Sequence, residues 1–221
     1  MTAVAGGAEV IVVERSSYEA VRIGETFPPV IQTALASLGL WEQFSSASHL
    51  PSFGIRSIWG SELAFERSFL FDPYGVGWQV DRQLFDASLA AVAEERGVHF
   101  VRGGRLLDCA CDLSQQAWQL QVAAPGELLD IYARGLVDAT GRASMLARRW
   151  GAKRIIHDQL VGIYAFFQCR WEQAEQACAL IEAVENGWWY SAGLPQQRLT
   201  VAFMTDTDIC AQARLWEVPQ W

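Results

Sequence analysis

Glu14 closes a short run of apolar, mostly β-branched residues, Val10-Ile11-Val12-Val13, and a carboxylate at such a place has a defined use. At the carboxyl end of a strand in a nucleotide-binding βαβ unit, its two oxygens accept hydrogen bonds from the hydroxyls of an adenosine ribose. That carboxylate stands about 20 residues beyond the start of the glycine-rich phosphate turn. Only thirteen residues precede Glu14. The spacing therefore predicts a dinucleotide fold entered late, its phosphate turn lying ahead of Met1. Gly6-Gly7 sit directly before the strand, where a crossover helix ends and glycine caps its carboxyl end, so they are not that turn. A solvated Glu14-Arg15 pair at a strand end is the competing reading, and position alone does not separate the two.

Asp138 is the second carboxylate of interest. It is expected to end a strand, Gly135 to Asp138, and to lie at the carboxyl edge of the parallel sheet, where open α/β folds bind ligands. Gly141 then permits a tight turn into a helix starting near Ser144. In Trp188-Trp189-Tyr190, strand alternation sends Trp188 and Tyr190 to one face and Trp189 to the other. The first pair would line a substrate pocket; ordinary core packing is the plainer alternative. His49, His99 and His157 are isolated, and the five cysteines show no two-residue gap of the zinc or redox kind, so no metal site is read. No catalytic acid or base can be named.

The elements that must position these residues follow from period and punctuation. A buried parallel strand covers Glu9 to Glu14. One helix begins at Pro28-Pro29 and stops at Gly39; a second runs from Arg82 to Arg96, with Asp81 as N-cap and Gly97 as its stop. From 98 to 138 the period is that of strands, a meander turning at Ser114-Gln115-Gln116 and Pro125-Gly126. A short helix, Ser144 to Trp150, ends at Gly151. Four extended segments near 160–170, 179–185, 188–194 and 199–205 predict an antiparallel sheet, turning at Asn186-Gly187 and Gln196-Gln197. No closing helix is expected after the last of them, before Pro219-Gln220-Trp221.

Composition narrows the function classes. With 51% apolar residues over 221 positions the chain can bury a substantial core. A net charge of −8 opposes nucleic acid and anionic lipid, so neither is an expected partner. The first apolar run is too short for a membrane span and lacks a basic leader, so no transmembrane segment is expected. An odd count of scattered cysteines points to a reducing, cytoplasmic setting.

Four segments, Val-Val-Glu-Arg (12–15), Arg-x-Gly-Glu-Thr (22–26), Val-Asp-Arg-x-x-Phe-Asp (80–86) and Asp-Ala-Thr-Gly-Arg-x-Ser-x-Leu-Ala-Arg (138–148), occur in an order that resembles the FAD-dependent oxidoreductase and monooxygenase superfamily. A fifth, Gly-Trp-Trp-Tyr-Ser-Ala-x-Leu-Pro (187–195), is similar to the substrate-domain strand of its tryptophan-halogenase-like branch, which stands near the geranylgeranyl-reductase-like one. The resemblance implies an α/β fold: a partial FAD/NAD(P)-binding Rossmann-like domain, parallel sheet plus small β-meander, over 1–151, and an antiparallel-sheet substrate domain over 152–221. It implies FAD as cofactor, held by Glu14, Arg15, Arg22, Glu25, Arg82, Asp138 and Gly141, with Trp188 and Tyr190 toward the substrate. It also implies a small-molecule or peptide-borne substrate and a flavin reductase as a partner.

Four departures matter. The stretch Trp41 to Gly60 lacks the lysine that halogenases place after the Gly-Glu loop, and the aromatic strand differs from their paired-tryptophan motif, which disfavours halogenation. The glycine-rich turn and a later Gly-Asp segment are also missing, so the chain is expected to be a fragment that binds FAD weakly alone. The resulting expectation is a flavin monooxygenase. Its alternatives are a geranylgeranyl-reductase-like flavoprotein or a non-catalytic fragment completed by a partner.

Overall fold

The computed structural model describes residues 1–112, 114, 116–170 and 178–217. In chain order the elements are α1 (Thr2–Ala5) and β1 (Ile11–Glu14), then β2 (Thr26–Phe27), α2 (Ile31–Ser37) and α3 (Trp41–Ser46). Next come β3 (Leu50–Ser52), β4 (Gly54–Ile58), β5 (Phe65–Ser68), β6 (Gly77–Gln79) and α4 (Arg82–Glu95). They are followed by β7 (His99–Arg102), β8 (Arg105–Asp112), β9 (Ala117–Ala124), β10 (Glu127–Ala133) and α5 (Met145–Arg149). The last are β11 (Leu160–Gln168), β12 (Cys178–Val184), β13 (Gly187–Leu194), β14 (Arg198–Asp206) and α6 (Thr207–Gln212). No helix of the described residues is long and apolar enough to cross a membrane.

The chain forms two compact units, each from two stretches of sequence: residues 1–21 with 86–157, and 22–85 with 158–221. The expected cut at 151/152 is linear, whereas these units are discontinuous, because strands from 22–85 join the sheet built after 158.

In the first unit β1 and β7 pair in parallel, Glu14 opposite Arg102, and β8, β9 and β10 form the expected antiparallel meander. Its core gathers Cys109, Leu120, Val122 and Leu146, with Val13 and Val101 of the parallel pair against them. Gly6 follows α1 as its carboxyl cap, as the spacing predicted. Leu84 N donates to Asp81 Oδ1 at 3.1 Å, so α4 has the predicted cap, and Gly97 leaves it at φ +90°. The segment from Gly135 to Asp138 is not a strand: it pairs with no strand among the described residues, and Val137 is 84% exposed. Gln115 of the predicted turn and Pro219-Gln220-Trp221 lie outside the described residues.

In the second unit the four predicted strands form one sheet, but it is six-stranded and mixed, in the order β11-β14-β13-β12-β4-β5. The antiparallel expectation holds for β11 to β14, while β12 pairs in parallel with β4. A second sheet of three short strands, β2-β6-β3, has no counterpart in the sequence reading. A helix does follow the last strand, since α6 runs directly from β14, against the expectation of none. The turn at Gln196 and Gln197 is left-handed at both residues, with φ +63° and +57°.

A strand-end carboxylate and a buried polar layer: candidate functional sites

Glu14 lies where the ribose reading requires it, at the carboxyl end of a parallel strand pair. Its Oε1 accepts hydrogen bonds from Ser16 N and Ser16 Oγ, both at 2.7 Å, so the turn after β1 fixes the carboxylate's direction. Arg15 beside it is exposed.

Asp138 does not end a strand, against the expectation. It stands in a loop, not at a sheet edge, and its carboxylate is taken up by its own chain. Thr140 donates to Oδ1 from its backbone N (3.0 Å) and its hydroxyl (2.6 Å), while Leu146 N (3.0 Å) and Ala147 N (3.2 Å) donate to Oδ2. Thr140 Oγ1 in turn accepts from Met145 N at 2.9 Å. Asp138 and Thr140 thus bracket the start of α5, and Gly141, at φ +61°, lets the chain turn between them. The hydrogen bonds from Thr140 are the largest cause holding the Asp138 carboxyl below its usual range. For a depressed carboxyl the stabilisation is present above the unfolded value, about pH 4, and lost as pH falls through the folded one. Asp138→Asn should therefore flatten the acid limb of the first unit's stability profile, measured by urea midpoints below about pH 5. An unchanged limb would show that the bracket contributes nothing.

The remaining site residues fall in the second unit. Alternation divides its three-stranded sheet: Phe27 and Trp78 are cross-strand partners on one face, Thr26 and Gln79 on the other. The aromatic face meets the helices, with Phe27 and Phe85 5.0 Å apart and Phe44 and Trp78 5.4 Å apart. His49 packs on Phe44 at 4.4 Å, and burial lowers its pKa. The polar face meets the larger sheet. Thr26 Oγ1 bonds to Gln79 Oε1 at 2.7 Å and to the Tyr190 hydroxyl.

Glu25, only 4% exposed, extends this layer. Its Oε2 accepts from Gly24 N at 3.0 Å and its Oε1 from Thr200 Oγ1 at 3.4 Å. Desolvation raises the Glu25 pKa against those hydrogen bonds, and it pushes Tyr190 up to about 12. Asp81 and Arg198 form an ion pair at the layer's margin. Arg82, the first residue of α4, donates from Nη1 to the carbonyls of Gly24 (3.0 Å) and Ile23 (3.4 Å), tying down the Arg22–Thr26 loop. Gly24 sits at φ +97°, a backbone conformation that favours glycine, and a Cβ there would also displace the Arg82 guanidinium, 2.7 Å away. Arg22 is half-buried where this unit opens.

The structure therefore brings Glu25, Arg82 and Tyr190 to one loop and layer, and leaves Trp188 apart, its ring 6.3 Å from Trp59. Sequence reading missed Thr26, Gln79, Asp81, Arg198 and Thr200 as members. The signal available was the inward placement of polar residues in short strands.

No family model matches the chain. In sequence it is 34% identical over 215 residues to LodB of Marinomonas mediterranea, named a FAD-dependent oxidoreductase, across 96% of this chain and 57% of that protein. The chain thus spans about 57% of that relative's length. Among solved structures it is similar to the myxobacterial chondrochloren halogenase CndH, with a TM-score of 0.83 and 23% identity over 95% of this chain and 50% of that one. It also resembles a geranylgeranyl bacteriochlorophyll reductase-like protein from Thermoplasma acidophilum, with a TM-score of 0.77 and 16% identity over 94% and 53% of the two chains. The chain resembles the FAD-dependent oxidoreductases in sequence and has the fold shared by flavin-dependent halogenases and geranylgeranyl-reductase-like proteins.

Proposed function

We propose that the protein works as a FAD-dependent oxidoreductase of the monooxygenase type, acting on an aromatic or peptide-borne substrate. The observation that carries this reading is Glu14, a carboxylate held by Ser16 at the carboxyl end of a parallel strand pair in a chain akin to LodB. The first unit would hold the adenosine end of the cofactor through Glu14, with Arg15 beside it. The bracket of Asp138, Thr140 and Gly141 would shape a neighbouring backbone turn rather than lend its carboxylate. FAD, when bound, supplies two-electron transfer and, once reduced, reaction with dioxygen.

The second unit would receive the substrate. Arg82 fixes the Arg22–Thr26 loop, Glu25 anchors that loop through the hydrogen bonds from Gly24 and Thr200, and Tyr190 offers a hydroxyl from the layer. Trp188 would contribute apolar surface. A layer of buried polar side chains suits a polar or aromatic substrate better than a long prenyl chain, and the absence of a lysine between 41 and 60 speaks against halogenation. A flavin reductase as electron source and a cytoplasmic location complete the proposal, the latter on cysteine usage.

The test is reconstitution of the intact protein with FAD, followed by oxygen uptake with the flavin reduced. We expect retained flavin absorbance and oxygen consumption. A protein that retains no flavin would overturn the reading; one that retains it but consumes no oxygen would shift the reaction to reduction.

A further inference from the structure

The buried layer of the second unit is short of acceptors. Two of its side-chain atoms, Gln79 Nε2 and Arg198 Nε, have no hydrogen-bond partner among the described residues, and both are donors. Gln79 is fully buried. Its backbone is engaged on both sides, because β6 lies between β2 and β3. Its amide is also oriented. Thr26 donates to Oε1, so Tyr190 must donate to Thr26, and the Gln79 amino group is turned the other way. Arg198 is oriented in the same manner through Asp81, which α4 holds by the bond from Leu84 N.

The two residues are linked through the layer by Asp81, Glu25 and Thr200. Asp81 is two residues beyond Gln79, and Thr200, two residues beyond Arg198 on β14, reaches Glu25, whose carbonyl accepts from Val80 N at 2.8 Å. Solvent reaches neither atom. Around them the larger sheet presents Leu194, Ala192 and Ala202, all buried. An acceptor entering this place must therefore be carried by a molecule whose body suits an apolar wall. Buried N–H groups turned toward no partner are what a site keeps for a ligand oxygen.

Resting on the reading that this unit takes the substrate, we infer that Gln79 Nε2 and Arg198 Nε bind a carbonyl or carboxylate oxygen on the substrate's apolar or aromatic body. Tyr190 and Thr26 act as positioning residues, through the direction they impose on the Gln79 amide.

The experiment is a side-chain ¹⁵N NMR titration of this chain without flavin, using phenylacetate, phenylacetamide and phenethylamine as probes. Gln79→Met identifies the Gln79 signal and Arg198→Lys the Nε signal, the lysine keeping a cation for Asp81. Both oxygen-bearing probes should shift both signals saturably and the amine should not, and Gln79→Met should weaken binding about tenfold. Tyr190→Phe should weaken it less, by freeing the amide to turn. Shifts with the amine, no shift with either acceptor, or a Gln79 amide contacting only a bound water would overturn the inference. Reconstitution of the intact protein with FAD separates the two claims: flavin retained with no response to the probes sinks only the subsite, and probe binding without retained flavin sinks only the flavin reading.

Discussion

Gly187→Ala should lower the stability of the second unit by roughly 3 kcal/mol, at the upper end of what overpacking a tight site costs. Gly187 opens β13 at φ +156°, and a Cβ there would stand 2.1 Å from the Met204 carbonyl oxygen and 2.9 Å from the Phe203 ring. The carbonyl belongs to the paired strand β14 and cannot move without breaking the ladder in which Trp188 faces Met204. The hairpin must therefore splay or slip. A slip of one residue would send Tyr190 to the opposite face and separate it from Thr26. The expected readouts are a fall of about 6–12 °C in the melting midpoint and a change in the Tyr190 ultraviolet titration. A midpoint within about 1 °C of the parent, on the same scale, would show that the hairpin does not need glycine.

Arg198→Met should cost a similar amount for an electrostatic reason. Asp81 is only 14% exposed at its side chain and Arg198 25%, so removing the guanidinium leaves a largely desolvated carboxylate facing apolar surface. Breaking such a pair from one side typically costs about 3–5 kcal/mol, most of it the uncompensated charge left behind. Asp81 also caps α4, so Asp81→Asn, which keeps an oxygen for Leu84 N, should cost less than Arg198→Met. In a double-mutant cycle the pair should show coupling of at least about 1 kcal/mol. Additive effects would mean that the two side chains act independently.

What the sequence made legible was local. The run before Glu14, the cap of α4 at Asp81, the glycines after α1, α4 and α5, and the hairpin at Asn186-Gly187 each follow from a few adjacent residues, and each has its place in the structure. The buried layer follows from residues far apart. Thr26 and Gln79 are 53 positions apart and Glu25 and Thr200 are 175, on strands of two or three residues that carry too little pattern to be seen as strands. Gly54 to Ser68 was missed as a hairpin because β5 is exposed along its length and lacks the alternation that marks a half-buried strand. The four donors to Asp138 come from Thr140, Leu146 and Ala147, and its place in a loop rather than at a strand end depends on pairing that the local sequence does not carry.

The reading rests most directly on the carboxylate of Glu14, and FAD affinity measured across its variants in the intact protein tests it. A carboxylate accepting two ribose hydroxyls contributes about 1.5 kcal/mol for each charged hydrogen bond. Glu14→Ala should therefore weaken FAD about 100-fold and Glu14→Gln about tenfold, with Asp138→Asn changing it far less. FAD affinity unaltered by Glu14→Ala in a folded protein would contradict the account.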